Sequence, residues 1–130
     1  MSTEQNKAVV RRFVADVLVG GNLDLIDELL APNYINRGLG GGDRAAFKAT
    51  LGGLAAAIPH RRIDIENLVA EGDAVVARFA YEMTVPTGQQ VVARGLTYYA
   101  LADGRIVEDD PITTPDVFQE LGKLMPPPAS

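Results

Sequence analysis

Two periodicities divide this chain near His60. Before it, apolar residues recur at helical spacing, and after it they alternate. From Thr3 to Leu18 the residues Val10, Phe13, Val14, Val17 and Leu18 fall on one helical face, with Thr3 as the expected cap. Gly20-Gly21 ends this helix, because glycine tolerates the left-handed exit turn. A short second helix carries Leu23, Ile26, Leu29 and Leu30 on one face, and Pro32 is expected to stop it. Asn33 to Arg37 is a brief extended piece running into a mobile loop with Gly38, Gly40, Gly41 and Gly42. Asp43 is a candidate cap for a third helix bearing Ala46, Phe47, Leu51, Leu54 and Ile58, and Pro59 ends it. Gly52-Gly53 inside that helix costs about 1 kcal/mol per glycine relative to alanine. Either the helix is weak there or something packs close to its backbone.

Beyond His60 the pattern predicts strands over Arg62–Val69, Ala74–Val85, Gln90–Ala102 and Arg105–Asp109. Turn signals at Glu71-Gly72-Asp73, Pro86-Thr87-Gly88 and Asp103-Gly104 separate them. Thr114-Pro115 opens a short closing helix, and residues 126–130 form a flexible proline-rich tail after a single domain over 1–125. About three N-terminal helices, an antiparallel meander and a closing helix make an α+β domain. A strongly curved sheet wrapped round helices leaves a cone open at one end, a shape suited to an apolar small-molecule pocket.

Composition narrows the chemistry. At 130 residues the chain can bury a core without disulfides or metals. It has no cysteine, which removes thiol nucleophiles, zinc–thiolate sites and iron–sulfur clusters. Its one histidine, His60, removes two-histidine metal sites. The net charge of −5, with basic residues scattered, argues against nucleic acid as a partner. The N-terminus has no apolar signal core, and no apolar run approaches the ~20 residues that span a bilayer. A cytoplasmic protein without membrane partner, metal or cofactor is expected.

Several segments carry a family resemblance. Asn6 to Phe13 with Gly21-Asn22-Leu23-Asp24, and Asp27 to Tyr34, resemble the opening of SnoaL-like polyketide cyclases, which have the nuclear transport factor 2-like fold. Val69 to Phe79 is similar to their central hairpin, and Arg94-Gly95 with Asp103 to Glu108 to their last two strands. The resemblance covers about residues 5 to 124 and implies a cone-shaped pocket. It also implies a pocket aspartate as acid/base. A homodimer through the outer sheet face is expected, because a sheet covered by helices on one side leaves the other needing cover; Val75, Ala77, Phe79, Tyr81 and Met83 make one face of the longest strand apolar, and alternation does not say which face is inner. Relatives of this fold include ketosteroid isomerases, limonene epoxide hydrolases and plain binding domains, so fold alone does not select a reaction. The chain departs from its relatives in two places. Asp109-Asp110-Pro111 follows Glu108 where they often carry His, Trp and Asp, and Asn36-Arg37 stands where they often carry Asp-His.

The candidate catalytic residues follow. Tyr34 and Asn36 lie two apart in an extended stretch, face the same way, and can hold a water or a carbonyl oxygen. The alternative is a buried tyrosine beside a turn asparagine. The resemblance points Asp109 into the cone, where desolvation raises a carboxyl pKa and a nearby arginine lowers it. An ordinary acidic turn before Pro111 is the alternative, and a bulge at Pro111 would exchange Asp109 for Asp110. Arg78 in mid-strand needs a partner, and Glu82 or Asp109 is expected to supply it; a partly exposed structural ion pair is the plainer reading. The epoxide hydrolases carry an aspartate two residues after their arginine, where this chain has Ala80. The remaining pocket contacts are assigned to Phe13, Phe47, Leu51, Glu82, Arg94, Tyr98 and Tyr99, with one of the two adjacent tyrosines facing the cone and Arg94 either in it or on the outer face. His60 is expected at the solvent-exposed rim.

The leading expectation is a cofactor-independent acid–base enzyme, an isomerase or aldol-type cyclase, acting on an apolar oxygenated molecule such as a polyketide. In it Asp109 moves the proton, and Tyr34 and Asn36, with Arg78 as a further candidate, hold the developing oxyanion. An epoxide hydrolase or epoxide-opening cyclase, and a non-catalytic binding or dimeric scaffold domain, are the rivals. An open apolar pocket with a buried aspartate favours an enzyme; a filled or shallow cone favours the scaffold.

Overall fold

A computed structural model describes residues 2–38 and 41–124. The expected tail and Gly40 lie outside the described residues. The first helix, α1 (Thr3–Arg12), is entered through Ser2, one residue before the expected cap. Ser2 Oγ accepts from the Gln5 backbone N–H, and Gln5 Oε1 accepts from the Ser2 N–H, so two orphan donors are satisfied reciprocally. The helix then widens into a π-helical segment over Phe13–Val19, where a uniform α-helix is expected from spacing alone. Val10, Phe13, Val14 and Val17 remain buried along it. The exit is at Gly21, whose φ of 72° is the left-handed turn that glycine accepts without cost.

The second helix is shorter than expected. A 3-10 turn at Leu23–Leu25 leads into α2 (Ile26–Leu29), and Leu30 already belongs to strand β1 (Leu30–Asn36). Pro32 therefore does not stop a helix. It lies in β1, within the irregular stretch between Leu30 and Ile35, where the pairing register shifts and a missing N–H is tolerated. Gly42–Asp43 forms a two-residue strand, β2, antiparallel to the end of β1, so this part of the expected loop is tied to the sheet. Helix α3 (Arg44–Ala57) is capped by Asp43, whose carboxylate accepts from the Ala46 N–H at 2.9 Å.

The remaining strands are β3 (His60–Glu71), β4 (Ala74–Thr84), β5 (Gln90–Ala102) and β6 (Arg105–Thr114), followed by α4 (Val117–Leu124). The Asp103-Gly104 turn has positive φ at both residues, the hairpin geometry that follows the twist of the flanking strands. Strand β6 runs five residues past its expected end at Asp109 and passes through Pro111 without a break, since Tyr98↔Asp110, Thr97↔Pro111 and Leu96↔Ile112 pair in continuous register. The bulge on this ladder falls instead between Ala100 and Leu101.

The six strands form one sheet in the order β2-β1-β6-β5-β4-β3. One pair is not antiparallel: β1 joins β6 in parallel, because the chain leaves β1 through α3 and the meander before returning beside it. The curved, unclosed sheet has the N-terminal helices on its concave side. Alternation along β4 is thereby resolved: Val75, Ala77, Phe79, Tyr81 and Met83 face the helices. They are not the exposed apolar face that a dimer would cover. Phe13, Phe47, Tyr99 and Ile106 are in the main core. A second cluster of Ile58, Val85, Val91, Val117 and Leu121 docks α4 on the far end of the sheet.

Helix α3 is unbroken across Gly52-Gly53. A Cβ at Gly52 would meet Leu23 Cδ1 at 3.4 Å, whereas one at Gly53 would meet nothing within 4 Å. Gly53→Ala should therefore stabilise the protein by about 0.5–1 kcal/mol through helix propensity and a less flexible unfolded chain. Urea unfolding of the two proteins reads this; a lower midpoint for the variant would contradict an open, regular helix there.

Candidate active site

The site starts from adjacent strands β1 and β6. Period two turns Tyr34 and Asn36 inward from β1, and Asp109 and Pro111 inward from β6. The parallel register sets Asn36 beside Asp109, and the Arg37 N–H donates to the Asp109 carbonyl at 2.8 Å. Outside the sheet, Arg37 Nε donates to Glu108 Oε1 at 2.6 Å. Continuous pairing with β5 leaves the missing N–H of Pro111 on the β1 side, where β1 ends at Asn36. Gly38 makes this corner possible, since a Cβ there would lie 2.5 Å from Pro111 Cγ.

The three inward polar groups form a chain. Asn36 Nδ2 donates to Tyr34 Oη at 2.9 Å, and Tyr34 Oη donates to Asp109 Oδ2 at 3.2 Å. All three side chains are buried, and among the described residues Asn36 Oδ1 has no partner. Burial pushes the Asp109 carboxyl up to about 7; the Tyr34 hydrogen bond opposes this, and the charge of Asp110 adds to it. Among the described residues no arginine or lysine is in ion-pairing contact with Asp109. It therefore exchanges a proton near neutral pH.

Above this floor opens a mostly apolar pocket of about 760 Å³ of empty space, mouth included. Phe47, Leu51 and Leu54 of α3 line one side, and Ile63, Tyr81 and Met83 of the sheet line another. Asn36, Asp109 and Tyr99 supply polar atoms, and Arg61 stands at the end of the π-helical segment. Burial pushes the Tyr81 phenol up to about 12 and the Tyr99 phenol well above its ordinary value. A Thr97 hydrogen bond lowers both, and the Asp109 charge raises both. Burial and the Asp109 charge likewise raise Tyr34. All three phenols stay protonated donors at neutral pH. Among the described residues no group of three or more His, Asp or Glu side chains is placed to hold a metal.

Of the sequence candidates, the structure brings together Tyr34, Asn36 and Asp109, with Phe47, Leu51 and Tyr99 in the pocket wall. Phe13 lies behind the wall, its ring centroid 6.0 Å from Phe47 and 6.3 Å from Tyr99. Five expected contacts are outside the pocket. Asp110 alternates with Asp109 and pairs across from Tyr98 on the outer face. Arg78, Glu82, Arg94 and Tyr98 are exposed on that same face, because the odd-numbered residues of β4 and β5 take the inner one. Arg78 is not paired with Glu82 or Asp109; its Nε forms an ion pair with Glu66 Oε1 at 3.6 Å, and the same oxygen accepts from Arg94 Nη2 at 2.9 Å. His60 is exposed at the start of β3. Tyr81, Thr97 and Arg61 were not among the sequence candidates. Arg61 did leave a signal, as a charged residue in phase with Ile63 and Ile65 on the inner face of β3.

The architecture is thus a mixed α+β domain, a curved, unclosed sheet with N-terminal helices and a short C-terminal helix, carrying a buried carboxyl at the floor of an apolar pocket. Residues 10–109 match the SnoaL-like domain, and the chain belongs to that family. No curated protein matches it. Among solved structures, a proposed polyketide cyclase from Acidithiobacillus ferrooxidans is 30 % identical, with 96 % of this chain and 100 % of that one covered at a TM-score of 0.76. A proposed SnoaL-like polyketide cyclase from Jannaschia sp. CCS1 is 23 % identical, with 97 % and 95 % covered at 0.79. A limonene-epoxide-hydrolase-like epoxide hydrolase from Mycobacterium tuberculosis is 18 % identical, with 93 % and 92 % covered at 0.77. The latter two likenesses show a shared fold. No helix among the described residues is long and apolar enough to cross a membrane.

The raised Asp109 carboxyl makes stability pH-dependent. Between its ordinary 3.8 and about 7 the folded protein keeps a proton that the unfolded chain releases, so stability falls as pH rises through that window. Asp109→Asn removes this loss. The variant should gain on wild type from pH 4 to pH 8, by about 4 kcal/mol at most given ~1.36 kcal/mol per pKa unit. Urea unfolding at several pH values measures it; a constant difference between the two proteins would show that Asp109 titrates normally.

Proposed function

We propose that this protein is a cofactor-independent acid–base enzyme, an aldol-type cyclase or isomerase acting on an apolar molecule with a carbonyl group. The observation that carries this reading is the Asp109 carboxyl, buried without a cation and facing an open apolar pocket. The ionised carboxylate takes a proton from a carbon beside the carbonyl. Tyr34 and Asn36 orient Asp109, and their hydrogen bonds to each other and to it leave the oxyanion to another donor. Tyr81, a partly buried phenol in the pocket wall, takes that role in place of the outward-facing Arg78. The enolate then attacks a second carbonyl, forming a carbon–carbon bond, and the new alkoxide recovers the proton from Asp109. In an isomerisation Asp109 returns the proton to a different carbon. The proposed activities of the Acidithiobacillus and Jannaschia relatives support the cyclase branch.

A hydrolytic reading has one observation in its favour. Asn36, the register neighbour of Asp109, keeps a buried Oδ1 unpartnered among the described residues, a group that a bridging water would satisfy. Epoxide opening also needs a proton donor for the leaving oxygen, and the inward positions of β4 opposite Asp109 offer a phenol, Tyr81, but no second carboxyl. Acid–base carbon chemistry needs no second acid.

The homodimer belongs to this proposal as well. The outer face of β5 and β6 exposes Ile112 at 75 %, Val92 at 62 %, Leu96 at 52 % and Tyr98 at 42 %, a patch that a second copy would cover about a two-fold axis. Sedimentation at micromolar concentration should show a dimer, and Leu96→Lys should shift it to monomer; a monomeric wild type ends that part of the proposal.

Asp109→Asn should lower turnover of a dicarbonyl substrate by ~10²–10⁴-fold, the usual range for general acid–base catalysis, while Asp110→Asn changes it little. In wild type kcat/KM should rise with pH through about 7 as the carboxylate forms. Tyr81→Phe should lower kcat more than it raises KM. Turnover that survives Asp109→Asn within tenfold removes the carboxylate mechanism. Incorporation of solvent oxygen from an epoxide would favour the hydrolytic reading instead.

A further inference from the structure

Among the described residues two charged side chains line the pocket, and they are opposite in sign: Asp109 on the floor and Arg61 where α1's π-helical extension ends. They do not pair with each other. Arg61 takes part in no ion pair among the described residues. The sheet register keeps them apart: Arg61 pairs with Met83 near one end of β4, whereas Asp109 pairs with Tyr99, itself opposite Val75 near the other end.

Arg61 is held without a carboxylate. Its Nε donates to the Leu18 carbonyl at 2.8 Å, Nη2 to the Val19 carbonyl at 3.0 Å and Nη1 to the Ile58 carbonyl at 2.9 Å. These are the last carbonyls of the π-helical segment and the residue after α3, so helix-end dipoles offset the charge in part. Three of the five guanidinium N–H groups are thus used, and two remain. Gly21 keeps that side open: a Cβ there would lie 3.1 Å from Nη2. The result is a guanidinium fixed in place, partly exposed, lining an apolar cavity, with donors to spare and no anion.

We propose that Arg61 is a specificity residue that binds an anionic oxygen group, a carboxylate or its equivalent, on the end of the ligand remote from Asp109. The inference rests on the same pocket being the ligand site. It narrows the substrate class from an apolar carbonyl compound to an apolar carbonyl acid. A guanidinium fork suits this because planar oxyanions accept from it geometrically as well as electrostatically.

The test uses two dyes with the same aromatic body, 8-anilinonaphthalene-1-sulfonate and the uncharged N-phenyl-1-naphthylamine. Fluorescence titration at pH 6, where Asp109 is mostly protonated, leaves Arg61 as the charge in the pocket. Wild type should prefer the sulfonate by about tenfold or more, as one charge-assisted hydrogen bond supplies. Arg61→Gln should bring the preference near parity while neutral-dye affinity changes less than about twofold, and Arg61→Lys should retain part of it. Ala55→Trp, which fills the cavity, should abolish both dyes. No preference in wild type, a preference that survives Arg61→Gln, or equal loss of both dyes in Arg61→Gln overturns the proposal, the last by showing a strut rather than a ligand contact. Dye binding that survives Ala55→Trp overturns it too, because the cavity then takes no such ligand. Asp109 turnover plays no part in these outcomes, so the acid–base reading and the Arg61 assignment can fail separately.

Discussion

The parallel pairing of β1 with β6 is the constraint from which the site follows. It brings Asn36 alongside Asp109 although the two are far apart in sequence, and it leaves Tyr34 one pleat further along on the same face. Burying a carboxyl there raises its pKa, and the surroundings return only hydrogen bonds from neutral groups. A cation at the floor would stabilise the ionised form and lower its basicity. A phenol and an amide orient the group while leaving it poised near neutrality.

The rest of the fold protects that arrangement. Helix α3 and the π-helical end of the first helix cover the concave face, and the pocket they enclose reaches down to Asp109. Gly38 and Pro111 fit against each other where β1 leaves the sheet, which keeps the corner beside Asp109 tight without a hydrogen bond that proline could not make. Arg61 ties the two helix ends to β3.

The sheet sorts its charges by face. Arg78, Glu66 and Arg94 form an exposed ion cluster, worth little to stability because solvent screens it. The inner face of β4 and β5 carries phenols and one threonine in place of charges. Neutral donors cost less to bury than ions and remain able to meet a carbonyl oxygen.

Much of this was legible in the chain. The change of period at His60, the Asp43 cap, the Asp103-Gly104 turn and the alternation of β4 and β5 are local, and local preference decides them. The spacing of Tyr34 and Asn36 marked them as one face, and Asp109 stood out through the family resemblance. What local pattern does not contain is which face of a strand the helices cover. Arg78 and Tyr81 are equally plausible pocket residues until the concave side is known, because a period of two assigns neighbours to opposite faces without saying which is inner. Pro32 read as a helix stop and Pro111 as the mark of a turn or bulge, yet both sit in strands whose partners do not need their N–H. The sequence by itself determined the elements, their order and the candidates on each face. Only the tertiary structure decided that Asp109 faces in and Arg78 out, because that choice rests on a long-range strand pair and on the packing of helices against one side of the sheet.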